Sequence, residues 1–167
     1  MRLHSHALFL MCFAAAAGSN ATAGTVTVSF VNASSFSDAG TTPWEEDSNL
    51  KALSSHLQGL GQKYLPADQV LKFEVLDVDL AGATRPSRRS GTNIRIVKGG
   101  ADGPRISLRY SLELNGNPMR SGEESVADIN YTRGLAAARE SASLFYEKRM
   151  LNEWFKARFV EGSNPSH

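Results

Sequence analysis

Cysteine is all but absent from this chain: Cys12 is the single one, and it lies in a segment that reads as removable. Without it, disulfides, thiol nucleophiles and cysteine metal sites are excluded together. Histidine is scarce too, with only His56 and His167 beyond residue 23, and no Gly-x-Ser-x-Gly elbow occurs, so a hydrolase triad finds little support. A charge excess of one sign is also missing. The chain holds 18 Lys+Arg against 17 Asp+Glu, and losing Arg2 with the N-terminal segment leaves 17 of each. That balance removes the electrostatic case for nucleic acid or an anionic membrane surface as partner. No internal repeat, heptad or low-complexity tract appears.

What is present begins with a leader. Met1 to His6 carries Arg2, Ala7 to Ala17 is apolar throughout, and Ala21-Thr22-Ala23 supplies small residues for cleavage. This is the three-part layout of a secretory signal peptide, with an apolar run short of the ~20 residues a membrane span needs. Cys12 lacks a preceding small residue, so no lipid anchor is read. The expectation is a leader over 1–23, one domain over 24–161 and a loose tail over 162–167, about the size for a single core.

In the mature part, Val26, Val28 and Phe30 alternate with Thr25, Thr27 and Ser29, which predicts a first strand. Thr42-Pro43-Trp44-Glu45 matches a capping box with proline at the first helical position, and Leu50, Leu53, Leu57 and Leu60 follow at helical spacing. A helix over 43–63 is expected, with His56 on its solvated side. Val70 to Gly82 is a second strand whose apolar positions change parity near Val75-Leu76, as a bulge would cause. Ala83 to Asn93 reads as an exposed basic loop and Asn93 to Lys98 as a short strand. The stripe of Leu144, Leu151, Trp154, Phe155 and Phe159 predicts a second helix from about Leu135 to Val160.

Between these lies a long β-hairpin. Ile106, Leu108, Tyr110, Leu112 and Leu114 alternate with polar residues, and Asn115-Gly116 supplies the positive-φ pair of a type I′ turn. A two-residue turn places Leu114 opposite Asn117, Leu112 opposite Met119 and Leu108 opposite Glu123. Glu123 then points at the dry face unless a bulge at Gly122 turns it out. The order β-α-β-β-β-β-α implies an α+β two-layer sandwich, with a mainly antiparallel sheet of about five strands and both helices on one face. Strands one and two are free to run parallel.

Candidate polar residues follow. Asp77 and Asp79 fall on one strand face about 7 Å apart, which suits oxygen ligation of a divalent cation or acid–base work with Glu123 or Asp128. Arg88, Arg89, Arg105 and Arg109 offer those carboxylates structural ion pairs instead. Gly99-Gly100-Ala101-Asp102-Gly103 is read as a turn, because Pro104 and a strand follow it where a phosphate cradle would lead into a helix. Asp128 to Tyr131 is expected to cap the strand end and seed the last helix. No catalytic residue, metal ligand or cofactor is assigned.

Six stretches together resemble a family of exported bacterial proteins known as domain of unknown function 3016: VTVSFV from Val26, VLDVDLAG from Val75, IVKGGADGPRI from Ile96, LRYSLELNG from Leu108, SGEESVADINY from Ser121 and YEKRMLNEWF from Tyr146. The resemblance implies a periplasmic envelope protein without an assigned activity. Residues and resemblance together favour a non-enzymatic module that binds an envelope protein or a small ligand, through an uncovered sheet face bearing Arg109, Arg120 and Glu124 or through an open edge strand. The alternative is an enzyme or metal-dependent module built on Asp77, Asp79 and Glu123.

Overall fold

The computed structural model describes residues 23–87, 91, 93–133 and 143–161. Residues 1–22, 88–90, 92, 134–142 and 162–167 lie outside them, and with them most of the expected leader, Arg88, Arg89, the expected start of the second helix and the expected tail.

The first strand, β1 (Thr25–Phe30), leads through a short 3₁₀ turn at Ala33–Ser35 into helix α1 (Pro43–Tyr64). The capping residues act much as their types dictate: the Thr42 hydroxyl accepts the Glu45 N–H at 3.2 Å, while the Glu45 carboxylate reaches one residue further back, to the Thr41 N–H and hydroxyl. Leu50, Leu53, Leu57 and Leu60 are all buried, as their spacing requires. The helix ends at Leu65, whose carbonyl accepts the Gly24 N–H at 3.0 Å, so the start of β1 is tied to the end of α1.

Strand β2 (Gln69–Asp79) runs parallel to β1, pairing Thr25 with Val70 through Phe30 with Val75. The parity change in its sequence is a bulge. Val75 pairs Leu108 and Asp77 pairs Ser107, leaving Leu76 as the extra residue. The bulge keeps Leu71, Phe73, Val75, Val78 and Leu80 all buried, while Asp77 and Asp79 turn outward.

The main sheet has four strands in the order β1-β2-β5-β6, with β5 (Arg105–Leu114) and β6 (Asn117–Ala127), and is mixed, since β1–β2 is parallel and the rest antiparallel. The expected exposed loop after Gly82 instead contains β3 (Ala83–Pro86), paired antiparallel with β4 (Asn93–Ile96) in a separate two-stranded ribbon. The expected fifth strand therefore leaves the main sheet.

The hairpin of β5 (Arg105–Leu114) and β6 (Asn117–Ala127) turns at Asn115 (φ 50°) and Gly116 (φ 77°), both left-handed as a type I′ turn demands. Leu114 does face Asn117, but the register then shifts. Glu113 pairs Pro118 and Leu112 pairs Arg120, so the bulged residue is Met119, not Gly122. Glu123 accordingly lies opposite Arg109, outside, and Glu124 lies opposite Leu108, inside. Gly122 is glycine for a different reason, since a Cβ there would stand 2.8 Å from the Tyr110 hydroxyl.

Helix α2 spans Phe145–Phe155 and continues as a wider π turn over Lys156–Val160. It does not run unbroken through Leu144, which takes a left-handed backbone (φ 55°) ahead of the first turn. Leu151, Phe155 and Phe159 pack with the inward residues of β2 and β5 and with the leucines of α1 in one buried cluster. Trp154, half-buried against it, meets Phe73, Tyr110 and Phe159 at ring distances of 5.5–6.3 Å. A smaller cluster joins Ala81, Tyr131 and Tyr146, with the two tyrosine rings edge to face at 4.8 Å. No helix among the described residues is long and apolar enough to cross a membrane.

Candidate functional site

The residues singled out by sequence lie mainly on the sheet face turned away from the core. Pairing sets its outward side chains in rows: Glu74–Arg109–Glu123, then Asp77–Ser107–Ser125, then Asp79–Arg105–Ala127. Arg109 bridges both glutamates, with nitrogen–oxygen distances of 2.8 Å to Glu74 and 2.9 Å to Glu123. The three groups are about half exposed, a setting in which such pairs add little stability.

Asp77 is occupied differently from either expectation. Its two oxygens accept the backbone N–H and the hydroxyl of Ser37, at 2.7 and 2.8 Å, which fastens the loop after β1 to β2. Asp79 sits beside that loop too, where Asp38 forms a parallel bridge with it. Partial burial raises the Asp79 carboxyl above its ordinary range, and the neighbouring Asp38 and Asp77 charges add to the rise against the pull of Arg105 and Arg95.

Asp77 and Glu123 share a face but stand two strands and one row apart. Strand spacing and rise put their Cα atoms about 12 Å from each other. Among the described residues, no group of three or more histidine, cysteine or acidic side chains gathers closely enough to hold a metal ion.

The remaining candidates serve the loops. Asp102 accepts the Tyr131 hydroxyl at 2.7 Å and the Lys98 N–H at 2.9 Å, and those bonds hold its carboxyl below the usual range. Burial and the bond to Asp102 push the Tyr131 phenol up to about 12, so it stays protonated and donating. Asp128 accepts the Asn130 N–H in a tight turn and pairs with Arg149 of α2 at 2.8 Å. It thus ends β6 as expected, but the described helix begins only at Phe145.

Two expected surface groups face the core side instead. The Arg120 guanidinium donates to the Arg158 carbonyl at 2.8 Å. Glu124 accepts the Trp154 ring N–H at 2.9 Å and pairs with Arg158 at 2.8 Å. Burial alone would raise the Glu124 carboxyl, yet the bonds from Trp154 and Arg158 outweigh it and hold it low. Of the three residues expected on an uncovered face, only Arg109 is there. His56, expected in solvent, is half-buried and donates from Nε2 to the Lys148 carbonyl at 3.0 Å, linking the two helices.

A second polar assembly had no sequence-based expectation attached. Between the first turn of α1, the end of β2, β4 and the start of α2 lies a cleft of about 340 Å³. Its floor holds Glu147, 3 % exposed, whose Oε1 accepts the Ala81 N–H at 2.8 Å. Arg95 of β4 grips Asp38 with two nitrogens, at 2.9 and 3.0 Å, and touches the Ala81 carbonyl at 3.4 Å. Glu147 left one sign in the sequence, because it stands four residues before Leu151 and three after Leu144, inside an otherwise apolar stripe. The Arg95–Asp38 pair spans 57 positions and left none.

Residues 24–157 match the family described as "Protein of unknown function (DUF3016)". The chain belongs to that family. No curated protein matches it. Two solved structures resembling this DUF3016 chain are a PelC dodecamer from Paraburkholderia phytofirmans and a minor lipoprotein from Acinetobacter baumannii. PelC is 15 % identical with a TM-score of 0.31, over 79 % of this chain and 86 % of that one. The lipoprotein is 12 % identical with a TM-score of 0.28, over 83 % and 91 %.

Proposed function

We propose that this DUF3016 protein is an exported periplasmic module that binds a small ligand and performs no covalent chemistry. Its leader over 1–23 is cleaved, residues 24–161 form one two-layer domain, and 162–167 form a tail. The observation that carries the binding reading is the contrast between two sets of carboxylates. Those of the open sheet face are spread along the strands, with Glu74 and Glu123 engaged by Arg109 and Asp77 by Ser37. Glu147, by contrast, is buried at the floor of a concavity of ligand size.

A partner strand added along β6 is the weaker form of the reading, because Pro118 lacks an N–H and Met119 interrupts the ladder. An acid–base enzyme draws on one observation, the raised Asp79 carboxyl, but Glu123 is about 12 Å from Asp77 and tied to Arg109. Expression with the native leader, fractionation and N-terminal sequencing test the first half: mature protein in the envelope fraction beginning at Gly24 is expected, and retention in the cytoplasm contradicts it. Ligand titration of that mature protein, described next, tests the second half.

A further inference from the structure

We infer that the cleft over Glu147 takes a small organic cation, a primary ammonium or guanidinium group carried on a body with an apolar part. This rests on the binding reading above and names the chemistry it requires.

Glu147 is the starting point. A carboxylate removed from water costs several kcal/mol unless its oxygens are satisfied. Oε1 has the Ala81 N–H, and the first turn of α2 adds a favourable dipole. Oε2 receives no hydrogen bond among the described residues. Yet no side-chain oxygen or nitrogen among them is fully enclosed without a partner, so Oε2 opens on the cleft that Glu147 lines.

Among the described residues, the charges at the cleft sum to a negative value. Arg95 is the guanidinium at the cleft wall, and Asp38 cancels it through a two-pronged pair. That leaves Glu45 and Glu147, both lining the cleft, as a surplus of negative charge. Lys148 does not itself line the cleft, and its ammonium, held by the Ser143 carbonyl at 2.9 Å, keeps its charge, so the surplus stands at about one negative charge. The rest of the wall is mixed, with Leu80, Val97 and Phe145 as its apolar part and Asn49, Ser143 and Tyr146 beside them. An anionic floor beside a partly apolar wall selects a cationic head on a body with an apolar part, and the described residues gather no set of three ligands for a bare divalent metal.

The test is calorimetric titration of the mature protein at pH 7 with phenethylamine, agmatine and, as a control of matching body and opposite charge, phenylacetate. Saturable binding of at least one amine and none of phenylacetate is expected. Glu147→Gln should weaken the amine about tenfold, the loss of one charge-assisted contact. Val97→Trp, which fills the wall without touching the carboxylates, should abolish binding while unfolding stays cooperative, and it keeps the question open to decision if the Glu147 variant does not fold. Amine binding unchanged in both variants overturns the inference. Phenylacetate bound and amines ignored overturns it too, but leaves the ligand-binding reading standing. Heat from no probe defeats both.

Discussion

At the scale of single residues, Asp79 and His56 make opposite pH predictions. The Asp79 carboxyl is raised in the folded protein, so its favourable contribution is complete below the unfolded value near 3.9 and is lost as pH rises through the folded one. At neutral pH its charge is a net cost, and Asp79→Asn is expected to raise the urea midpoint; a lowered midpoint would show that the carboxylate holds something the geometry does not display. Burial lowers the His56 imidazole, while its bond to the Lys148 carbonyl pulls the other way. Neutral His56 therefore supports the fold above the unfolded value near 6.5, and that support fades as pH falls toward the folded value. His56→Gln should flatten the decline in stability between pH 7.5 and 5, measured by urea unfolding at each pH. The site was only partly legible at this scale. The Asp77–Asp79 pair is a local pattern and was readable as such, whereas Asp38, Arg95 and Glu147 meet through contacts between segments distant in sequence.

At the scale of elements, legibility followed period. Helix α1 and strands β1, β2 and β5 were readable because burial on one face imposes a regular repeat. Strand β3 was not, since Ala83-Thr84-Arg85-Pro86 alternates nothing and ends in proline. The β6 register was misplaced because the bulged residue, Met119, is half exposed and leaves no packing signal. Two tests belong here. In α1, a Cβ at Gly59 meets open space, while one at Gly61 falls on the Val26 side chain. Gly59→Ala is expected to stabilise by roughly 0.5–1 kcal/mol, and Gly61→Ala to destabilise by about 1–3 kcal/mol through overpacking; thermal unfolding of the two variants measures the contrast. In β6, deleting Met119 removes only the surplus residue, so Arg120 onward keeps its partners. The shortened protein should fold with the Trp154 environment unchanged, as near-ultraviolet circular dichroism would report. A lost signal there would mean that the bulge itself sets the register.

For the molecule as a whole, the sheet closes late along the chain. Thr25 pairs with Val70 across the entire length of α1, and β1 holds an edge of the sheet. Such a non-local parallel pairing is slow to form, and the strand at stake is the first of the sheet in chain order. With the leader removed after Ala23, as proposed above, the Gly24 amide would become a free ammonium group, already placed at 3.0 Å from the Leu65 carbonyl at the negative end of α1. A neutral contact would thereby become a charge-assisted hydrogen bond, and maturation would tighten the join between first strand and first helix. The processed protein should outlast an N-acetylated counterpart in urea, with the advantage fading as pH climbs past the usual α-amino range near 8.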